Sequence, residues 1–199
     1  WLDELVKLCR DLGIEYIFPA YDDVLVELAK HRDEIPAVIL TASRSVCRTT
    51  RSKSRTYDQL SSIVRVPRIY KYTEKKDFPL FVKPDRGQGS QGAQLVQNET
   101  ELALVTSALK DPIVCEYLPG EEYTVDCLSD RDHGVIFCGA RIRLRVRNGI
   151  AVNTKSIKLD GSEEIANHIH QELGMRGAWF FQLKRAEDGH LVLLEVAPR

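Results

Sequence analysis

The stretch Pro79–Val96, PLFVKPDRGQGSQGAQLV, constrains the fold of this chain more than any other part of the sequence. The apolar run PLFVK precedes a glycine-rich segment, Gly87–Gly92, and the alternating run AQLVQ follows it. The segment matches G-x-G-x-x-G, which in dinucleotide-binding folds opens a helix whose N-terminus holds the pyrophosphate. Here a strand-like run follows instead, so the pattern predicts a hairpin and argues against a dinucleotide-binding fold. We call residues 87–92 the glycine flap.

Two other phosphate-binding glycine loops also fail to match. A protein kinase places its lysine downstream of the glycines and carries H-R-D and D-F-G motifs, and a P-loop continues into Gly-Lys-Ser/Thr; this sequence has none of these. What remains is Lys83, at the end of the strand that enters the flap. Glycine N–H groups can approach phosphate oxygens closely, and an ammonium adds a charge beside them. The alternative is a surface hairpin with a disordered glycine tip.

Composition excludes several classes of partner. The formal net charge of -1 over 199 residues attracts neither nucleic acid nor an anionic membrane. The five cysteines form no C-x-x-C pair and indicate buried thiols in a reducing cytosol. No apolar run approaches the ~20 residues of a membrane span. We therefore expect a cytoplasmic protein and, because the chain begins at Trp1 and ends just after an apolar run, a piece of a longer one.

The order of helical and strand-like runs changes near Val66. Before it, WLDELVKLCRDLG, IEYIF, DDVLVELAKHR and PAVIL alternate helix and strand, as in an α/β unit with a parallel sheet. The polar, basic run over 43–63 is predicted to be helical in its second half. After it, strand-like runs beginning with VPRIYKY dominate, and ETELALVTSAL and SEEIANHIHQELG are the two predicted helices. The sequence predicts an α/β piece followed by a mostly antiparallel α+β region.

The run VCEYLPGEEYTVD has the groups that a nucleoside needs. Glu116 and Leu118 can offer main-chain groups to an adenine edge, and Glu122 a carboxylate to ribose hydroxyls. The alternative is a solvated acidic turn.

A third candidate lies near the end of the chain. Gln182 and Glu195 fall on two strands joined by the turn Glu187–Gly189. Mg²⁺ takes oxygen ligands, keeps several waters and bridges to substrate phosphates, so one amide oxygen and one carboxylate suffice.

Taken in this order, the motifs resemble the ATP-grasp superfamily of carboxylate–amine and carboxylate–thiol ligases, most closely the branch of carbamoyl-phosphate synthetase large chains. The resemblance implies an α+β ATP-grasp fold, in which two α+β subdomains clamp ATP, preceded by the end of a Rossmann-like α/β domain. It divides the chain into the Rossmann-like tail (1–40), a connecting helical segment (41–65), the N-terminal subdomain with the glycine flap (66–115) and a truncated C-terminal subdomain (116–199).

The resemblance also implies roles for individual residues. The nucleotide would be held by phosphate-binding lysines, flap residues, an adenine hinge and a ribose carboxylate: Lys53 and Lys83, Gly87, Gly89 and Ser90, Glu116 to Leu118, and Glu122. Gln182 and Glu195 would bind the metal, and Arg199 would face phosphate or the acyl phosphate. Relatives usually add an asparagine two residues after the glutamate, where this chain has Ala197. Water then fills the gap, the second Mg²⁺ binds weakly, or catalysis is impaired.

Two further cations are candidates for the γ-phosphate. The run RIRLRVR places four arginines on one face of a predicted strand, and relatives carry a basic residue there, which favours Arg143. A solvated face paired to nearby acids is an equally good interpretation. Lys155, in AVNTKSI, is a weaker candidate of the same kind.

The implied function is ATP-dependent ligation through an acyl-phosphate intermediate, with ATP and Mg²⁺ as cofactors and Mn²⁺ able to replace Mg²⁺. The partners would be a small-molecule carboxylate and an amine, ammonia or a thiol, with no nucleic acid and no membrane; a homodimer is compatible with this. Two alternatives stay open: a degenerate or regulatory nucleotide-binding module, favoured by Ala197, and a metabolic kinase with the same fold.

Overall fold

The computed structural model describes residues 1–71, 74–75, 77–87, 89–147 and 149–199. The helices are α1 (Leu2–Leu12), α2 (Asp22–Lys30), α3 (Arg44–Thr50), α4 (Lys53–Leu60), α5 (Glu99–Ala108) and α6 (Ser162–Leu173). The strands are β1 (Tyr16–Ile17), β2 (Val38–Ile39), β3 (Leu80–Pro84), β4 (Gln94–Val96), β5 (Pro112–Glu116), β6 (Glu122–Asp130), β7 (Gly134–Arg147), β8 (Ile150–Ile157), β9 (Gly177–Arg185) and β10 (Leu191–Pro198).

The N-terminal region is a small parallel α/β unit. Strands β1 and β2 pair in parallel, with Tyr16 opposite Val38. Helix α1 ends at Gly13, whose φ of 62° is the left-handed conformation that a helix C-cap adopts. The predicted alternation of helix and strand is confirmed, although each strand is shorter than the apolar run that predicted it.

The predicted hairpin forms part of a three-stranded antiparallel sheet. Its order is β4-β3-β5, and the glycine flap connects β3 to β4. Helix α5 covers this sheet, since Leu102 and Val105 pack with buried Leu80, Val82 and Val96. The strand predicted over VPRIYKY is wrong for the part that is described, where a single bridge joins Ile69 to Cys115; its last residue, Tyr72, lies outside the described residues.

The third sheet is antiparallel and has five strands, in the order β10-β9-β6-β7-β8. One of its faces carries Val125, Trp179 and Phe181, which pack in one core with α6 residues such as Ile169. Side chains alternate between the faces of a strand, so the opposite face carries Glu122 on β6 and Gln182 on β9. That face lines the cleft described below.

Two helices connect the sheets in the segment 43–63. The sequence predicted helix in its second half, whereas the first half is helical as well, since Ser43 and Ser52 act as N-caps of α3 and α4. Each cap side chain accepts from a backbone N–H three residues ahead, which satisfies an unpaired donor of the first turn. Both helices pack against β10.

The four arginines of β7 do not share one face. Bulges interrupt the β7–β8 register between Arg143 and Arg145 and again before Val146. A bulge places two residues opposite one and changes which side chains face the cleft. Arg141 and Arg143 pair with acids on β6, and Arg145 and Arg147 are exposed. The prediction that all four arginines lie on one face of the strand is therefore wrong for the residues after Arg143.

Among the described residues, no helix is long and apolar enough to cross a membrane.

Candidate functional site

A cleft lies between the three-stranded and five-stranded sheets. Its walls come from α4, β3, the glycine flap, β6, β9 and β10, and it is lined among others by Lys53, Lys83, Gly89, Glu122, Gln182 and Glu195. The structure thus brings most of the predicted site residues, which lie far apart in sequence, into one place.

Lys83 projects from β3 into this cleft. The residue is only 8% exposed, and its Nζ donates to the Tyr57 hydroxyl at 2.8 Å. Burial lowers the pKa of the Lys83 ammonium, because a desolvated charge is costly. A buried cation held by one neutral partner is poised to receive an anion.

Lys53 is the first residue of α4, and its ammonium is turned toward the base of the flap. Its Nζ donates to the carbonyl oxygens of Pro84, Asp85 and Gly87, each at 3.3 Å. An ammonium has three protons, so all of them already have acceptors. The sequence predicted a phosphate-binding lysine here; in this structure its hydrogen bonds are to backbone carbonyls between the end of β3 and the first residue of the flap.

Asp85 adds a second connection between α4 and the flap, which sequence reasoning missed. The Ser52 hydroxyl donates to its carboxylate at 2.6 Å and the Ser54 backbone N–H at 2.7 Å. Burial alone would raise the pKa of Asp85, but these hydrogen bonds hold it below its ordinary value. The available signal was an acid directly after a strand and before glycines.

The glycine flap adopts backbone conformations that explain its composition. Gly89, Ser90 and Gly92 have φ values of 62°, 55° and 72°, in the left-handed region that glycine enters most easily. Gln88 lies outside the described residues. The tip also meets the β7–β8 turn, because a Cβ added to Gly149 would lie 2.5 Å from the Gly89 carbonyl oxygen. The flap therefore touches the five-stranded sheet across the cleft.

An adjoining compartment lies beside Lys83. It is lined by Phe81, Cys115, Glu116, Tyr117, Leu118 and Leu194, together with residues shared with the cleft. The Glu116 backbone N–H already donates to the Arg68 carbonyl at 3.0 Å. That N–H is therefore not free for a ligand, so Glu116 could offer an adenine edge only its backbone carbonyl, beside the main-chain groups of Leu118.

Glu122, the predicted ribose carboxylate, forms an ion pair with Arg143. Only 5% of the Arg143 side chain is exposed, against 28% of Glu122. The same guanidinium donates to Gln182 Oε1 at 3.2 Å and to the Gly149 carbonyl at 2.6 Å, while its buried Nε has no partner in the described structure. Arg143 thus connects the Glu122 and Gln182 side chains.

Gln182 and Glu195 are direct cross-strand partners on β9 and β10. A bulge between Leu193 and Glu195 produces this register and leaves Leu194 as the additional residue. Burial raises the pKa of the Glu195 carboxyl, although Lys53 opposes the shift. An amide oxygen beside a desolvated carboxylate suits a hard cation. Among the described residues no group of three or more His, Cys, Asp or Glu could hold a metal, so a complete protein cage is absent from them.

Arg199 lies at the far end of β10. Its Nη1 donates to Asp22 at 2.7 Å, and its guanidinium lies 4.7 Å from the Phe180 ring centroid. A second pocket opens here, lined by Asp22, Arg51 and Arg199 as well as Lys53 and Glu195, and also by Ala197, which has no ligating atom in its side chain.

Lys155 is not brought to the cleft. It is exposed on the edge strand β8 and pairs with Ile142. Direct cross-strand partners share a face and neighbours in a strand alternate, so Lys155 faces away from Arg143.

Sequence comparison finds similarity to ATP-grasp proteins. Residues 108–199 match the family model described as ATP-grasp in the biosynthetic pathway with Ter operon. The chain is 27% identical over 164 residues to a D-alanine–D-alanine ligase of Fusobacterium nucleatum, covering 74% of this chain and 55% of that protein. It is 30% identical over 142 residues to a carbamoyl phosphate synthase large chain of Clostridium botulinum, covering 64% of this chain and 13% of that one. This chain therefore spans about half, or much less, of these relatives.

Solved structures show the same fold. The biotin carboxylase domain of the 2-oxoglutarate carboxylase of Hydrogenobacter thermophilus, solved as a dimer with MgADP, ADP and bicarbonate, superimposes with a TM-score of 0.85 at 18% identity, covering 100% of this chain and 51% of that one. The VanG D-Ala:D-Ser ligase of Enterococcus faecalis superimposes with a TM-score of 0.72 at 18% identity, covering 92% of this chain and 63% of that one. The α+β, ATP-grasp fold predicted from the sequence is confirmed.

Proposed function

We propose that this chain, which has the ATP-grasp fold, belongs to the ATP-grasp proteins, binds Mg²⁺–ATP in the cleft and is part of an ATP-dependent ligase that joins a carboxylate to an amine, ammonia or a thiol. The observation that carries the proposal is the convergence of buried Lys83, the glycine flap, Glu122 and the Gln182–Glu195 pair in one cleft. The MgADP bound to the Hydrogenobacter domain supports the choice of ligand. The three-stranded and five-stranded sheets would be the two clamping subdomains, with the boundaries predicted above.

The nucleotide would span both compartments. Adenine would lie against Phe81 and Leu118, with the Glu116 carbonyl and the main-chain groups of Leu118 at its edge, and the ribose would reach Glu122. The phosphates would lie between Lys83 and the flap N–H groups. Lys53 would act mainly by holding the flap base, given its three carbonyl contacts.

The cation would be held by Gln182 Oε1 and the Glu195 carboxylate, with water and phosphate oxygens completing its shell. When bound, it offsets the charge that develops on the phosphoryl oxygens. Lys83, which lines the cleft with Glu195, and Arg199, which lines the neighbouring pocket with it, would add positive charge. Arg143 contacts Glu122 through Oε1, so the ribose hydroxyls would donate to Oε2 of the same carboxylate.

The proposed reaction has two steps. A substrate carboxylate attacks the γ-phosphate, forming an acyl phosphate and releasing ADP. An amine, ammonia or a thiol then attacks the acyl carbon, phosphate departs, and the nucleophile loses a proton. The contribution of the protein is positioning and electrostatic stabilisation, which dominate phosphoryl transfer generally. The substrates are proposed to be small molecules, and a homodimer, as in the Hydrogenobacter domain, stays a prediction.

A nucleotide-binding module without ligase activity is the second candidate. Ala197 stands beside Glu195 where it can offer no ligand, and Arg143 occupies both Glu122 and Gln182. Weak or absent coupling between Mg²⁺ and ATP would favour this candidate.

Calorimetric titration of ATP with and without Mg²⁺ tests the proposal. We expect ATP to bind, Mg²⁺ to strengthen binding, Lys83→Ala to weaken binding and Glu195→Ala to remove the Mg²⁺ effect. Lys155→Ala and Glu187→Ala are matched controls, because both residues are exposed and outside the cleft. Absence of binding to folded protein at millimolar ATP would refute the proposal. Binding followed by carboxylate-dependent phosphate release would separate the ligase from the inactive module.

A further inference from the structure

Tyr57 is a buried residue of α4 that no motif singled out. It is 2% exposed, and its hydroxyl makes two hydrogen bonds of similar length. It donates to the backbone carbonyl of Leu194 at 2.7 Å and accepts from Lys83 Nζ at 2.8 Å. One oxygen atom therefore connects α4, β3 and β10, three of the elements that line the cleft.

The direction of these hydrogen bonds is determined by chemistry. A carbonyl oxygen can only accept and an ammonium can only donate, so the one hydroxyl proton belongs to Leu194 and the oxygen lone pair faces Lys83. Burial raises the pKa of the Tyr57 hydroxyl well above its ordinary value, which keeps it neutral. The ammonium thus has a neutral acceptor that cannot neutralise its charge.

The hydrogen bond to Leu194 connects Tyr57 to the strand that carries the proposed cation ligand. Leu194 is the bulged residue of β10 and directly precedes Glu195, the proposed cation ligand. Tyr57 also lies one helical turn after Lys53, on the same side of α4, and Lys53 holds the flap base. Two side chains of α4 therefore make these contacts. Lys53 holds the base of the flap, and Tyr57 connects Lys83 to β10.

We propose that Tyr57 is a positioning residue, whose hydroxyl holds the Lys83 ammonium at the phosphates and in fixed relation to Glu195. The inference rests on the proposed function, because it assigns Lys83 to the phosphates of a bound nucleotide. Without the hydroxyl, the Lys83 side chain would lose its acceptor and sample other rotamers in the cleft. Phosphate binding would then suffer, while adenine and ribose binding would not.

A double-mutant cycle tests this with nucleotide binding as the readout. We expect Tyr57→Phe to weaken ADP binding about tenfold, the effect of a hydrogen bond to a charged group, and to leave adenosine binding within about twofold. In a Lys83→Met background the same substitution should weaken ADP binding no further. Tyr123→Phe is the matched control, since Tyr123 is also 2% exposed but its hydroxyl donates to Glu121 at 2.7 Å.

The outcomes distinguish this inference from the proposed function. If wild-type protein binds no ADP, the proposed function fails, and this inference with it. If wild type binds ADP and Tyr57→Phe binds it equally well, the inference alone is overturned. Equal losses for ADP and adenosine, or additive losses in the Lys83→Met background, also overturn it, because both indicate a general structural effect.

A measurement on the wild-type protein covers the case in which Tyr57→Phe does not fold. The Tyr57 hydroxyl proton should be visible by NMR as slowly exchanging, and its shift should change on adding ADP but not adenosine. A rapidly exchanging proton, or one insensitive to ADP while ADP binds, would overturn the inference.

Discussion

The contact between the glycine flap and the β7–β8 turn predicts a specific cost for Gly149→Ala. Gly149 has a φ of 72°, where an alanine costs about 1–2 kcal/mol. The added Cβ would also lie 2.5 Å from the Gly89 carbonyl oxygen and closer still to two other backbone atoms of Gly89. Overpacking of this kind costs about 1–3 kcal/mol more. Because the overlap is with backbone, relief requires the turn and the flap to separate.

Gly189→Ala is the matched control for the backbone conformation. Gly189 has a φ of 83° in the β9–β10 turn, and an added Cβ would meet nothing within 4 Å. We expect Gly189→Ala to lower the free energy of unfolding by about 1–2 kcal/mol and Gly149→Ala by about 2–5 kcal/mol if the flap stays in place. If the flap moves away instead, the stability difference shrinks and trypsin cleaves faster at exposed Arg86, at the flap base.

Urea denaturation and limited trypsin digestion together measure both possibilities. Either a larger loss of stability or faster cleavage in Gly149→Ala supports the contact. Equal stability and equal cleavage in the two variants would refute the reasoning, since the turn and the flap would then not be in contact in solution.

Three further substitutions test other parts of the molecule. Asp85→Asn should lower the free energy of unfolding by about 1 kcal/mol near neutral pH. Because the folded pKa lies below the ordinary 3.8, this difference in urea titrations should begin to shrink as the pH falls below 3.8 and should disappear once the pH has fallen through the lower, folded pKa. Phe181→Ala should cost about 3–5 kcal/mol in the same assay, since its side chain is fully buried, whereas the exposed Phe137→Ala should cost little. Glu122→Gln should lower the free energy of unfolding by about 1–3 kcal/mol, because it leaves the Arg143 guanidinium buried without its counter-charge. This range is smaller than for a fully buried ion pair because Glu122 is partly exposed to solvent. An unchanged free energy of unfolding would mean that water replaces the carboxylate.

Local sequence patterns predicted the elements of this fold well. The strand–glycine–strand order of Pro79–Val96 was enough to reject a dinucleotide-binding fold and to predict the hairpin that β3 and β4 form. The predicted helices ETELALVTSAL and SEEIANHIHQELG correspond to α5 and α6. The same patterns placed a strand over 66–72, where the described part pairs with β5 through one isolated bridge, because strand propensity does not determine how far pairing extends and Pro67 has no N–H to donate.

The candidate site was predicted in part. The sequence order placed Lys83, Glu122, Gln182 and Glu195 together through the family resemblance, and the cleft contains all four. It did not predict that the Lys53 ammonium contacts backbone carbonyls at the base of the flap, that Arg143 pairs with Glu122, or that the Tyr57 hydroxyl accepts from Lys83. Each of these contacts joins residues more than twenty positions apart, and no local pattern encodes them.

The sequence by itself determined which side chains are available: a glycine flap after a lysine-bearing strand, and an amide and a carboxylate on strands joined by one turn. Only the tertiary structure decided where the carboxylate points. Without the bulge at Leu194, Leu194 would pair with Gln182, and Glu195 would pair with Phe181 and face the core. A shift of one residue exchanges the two faces of a strand, and the free energy of burying Leu193 and Val196 on the core side favours the register that leaves Glu195 in the cleft.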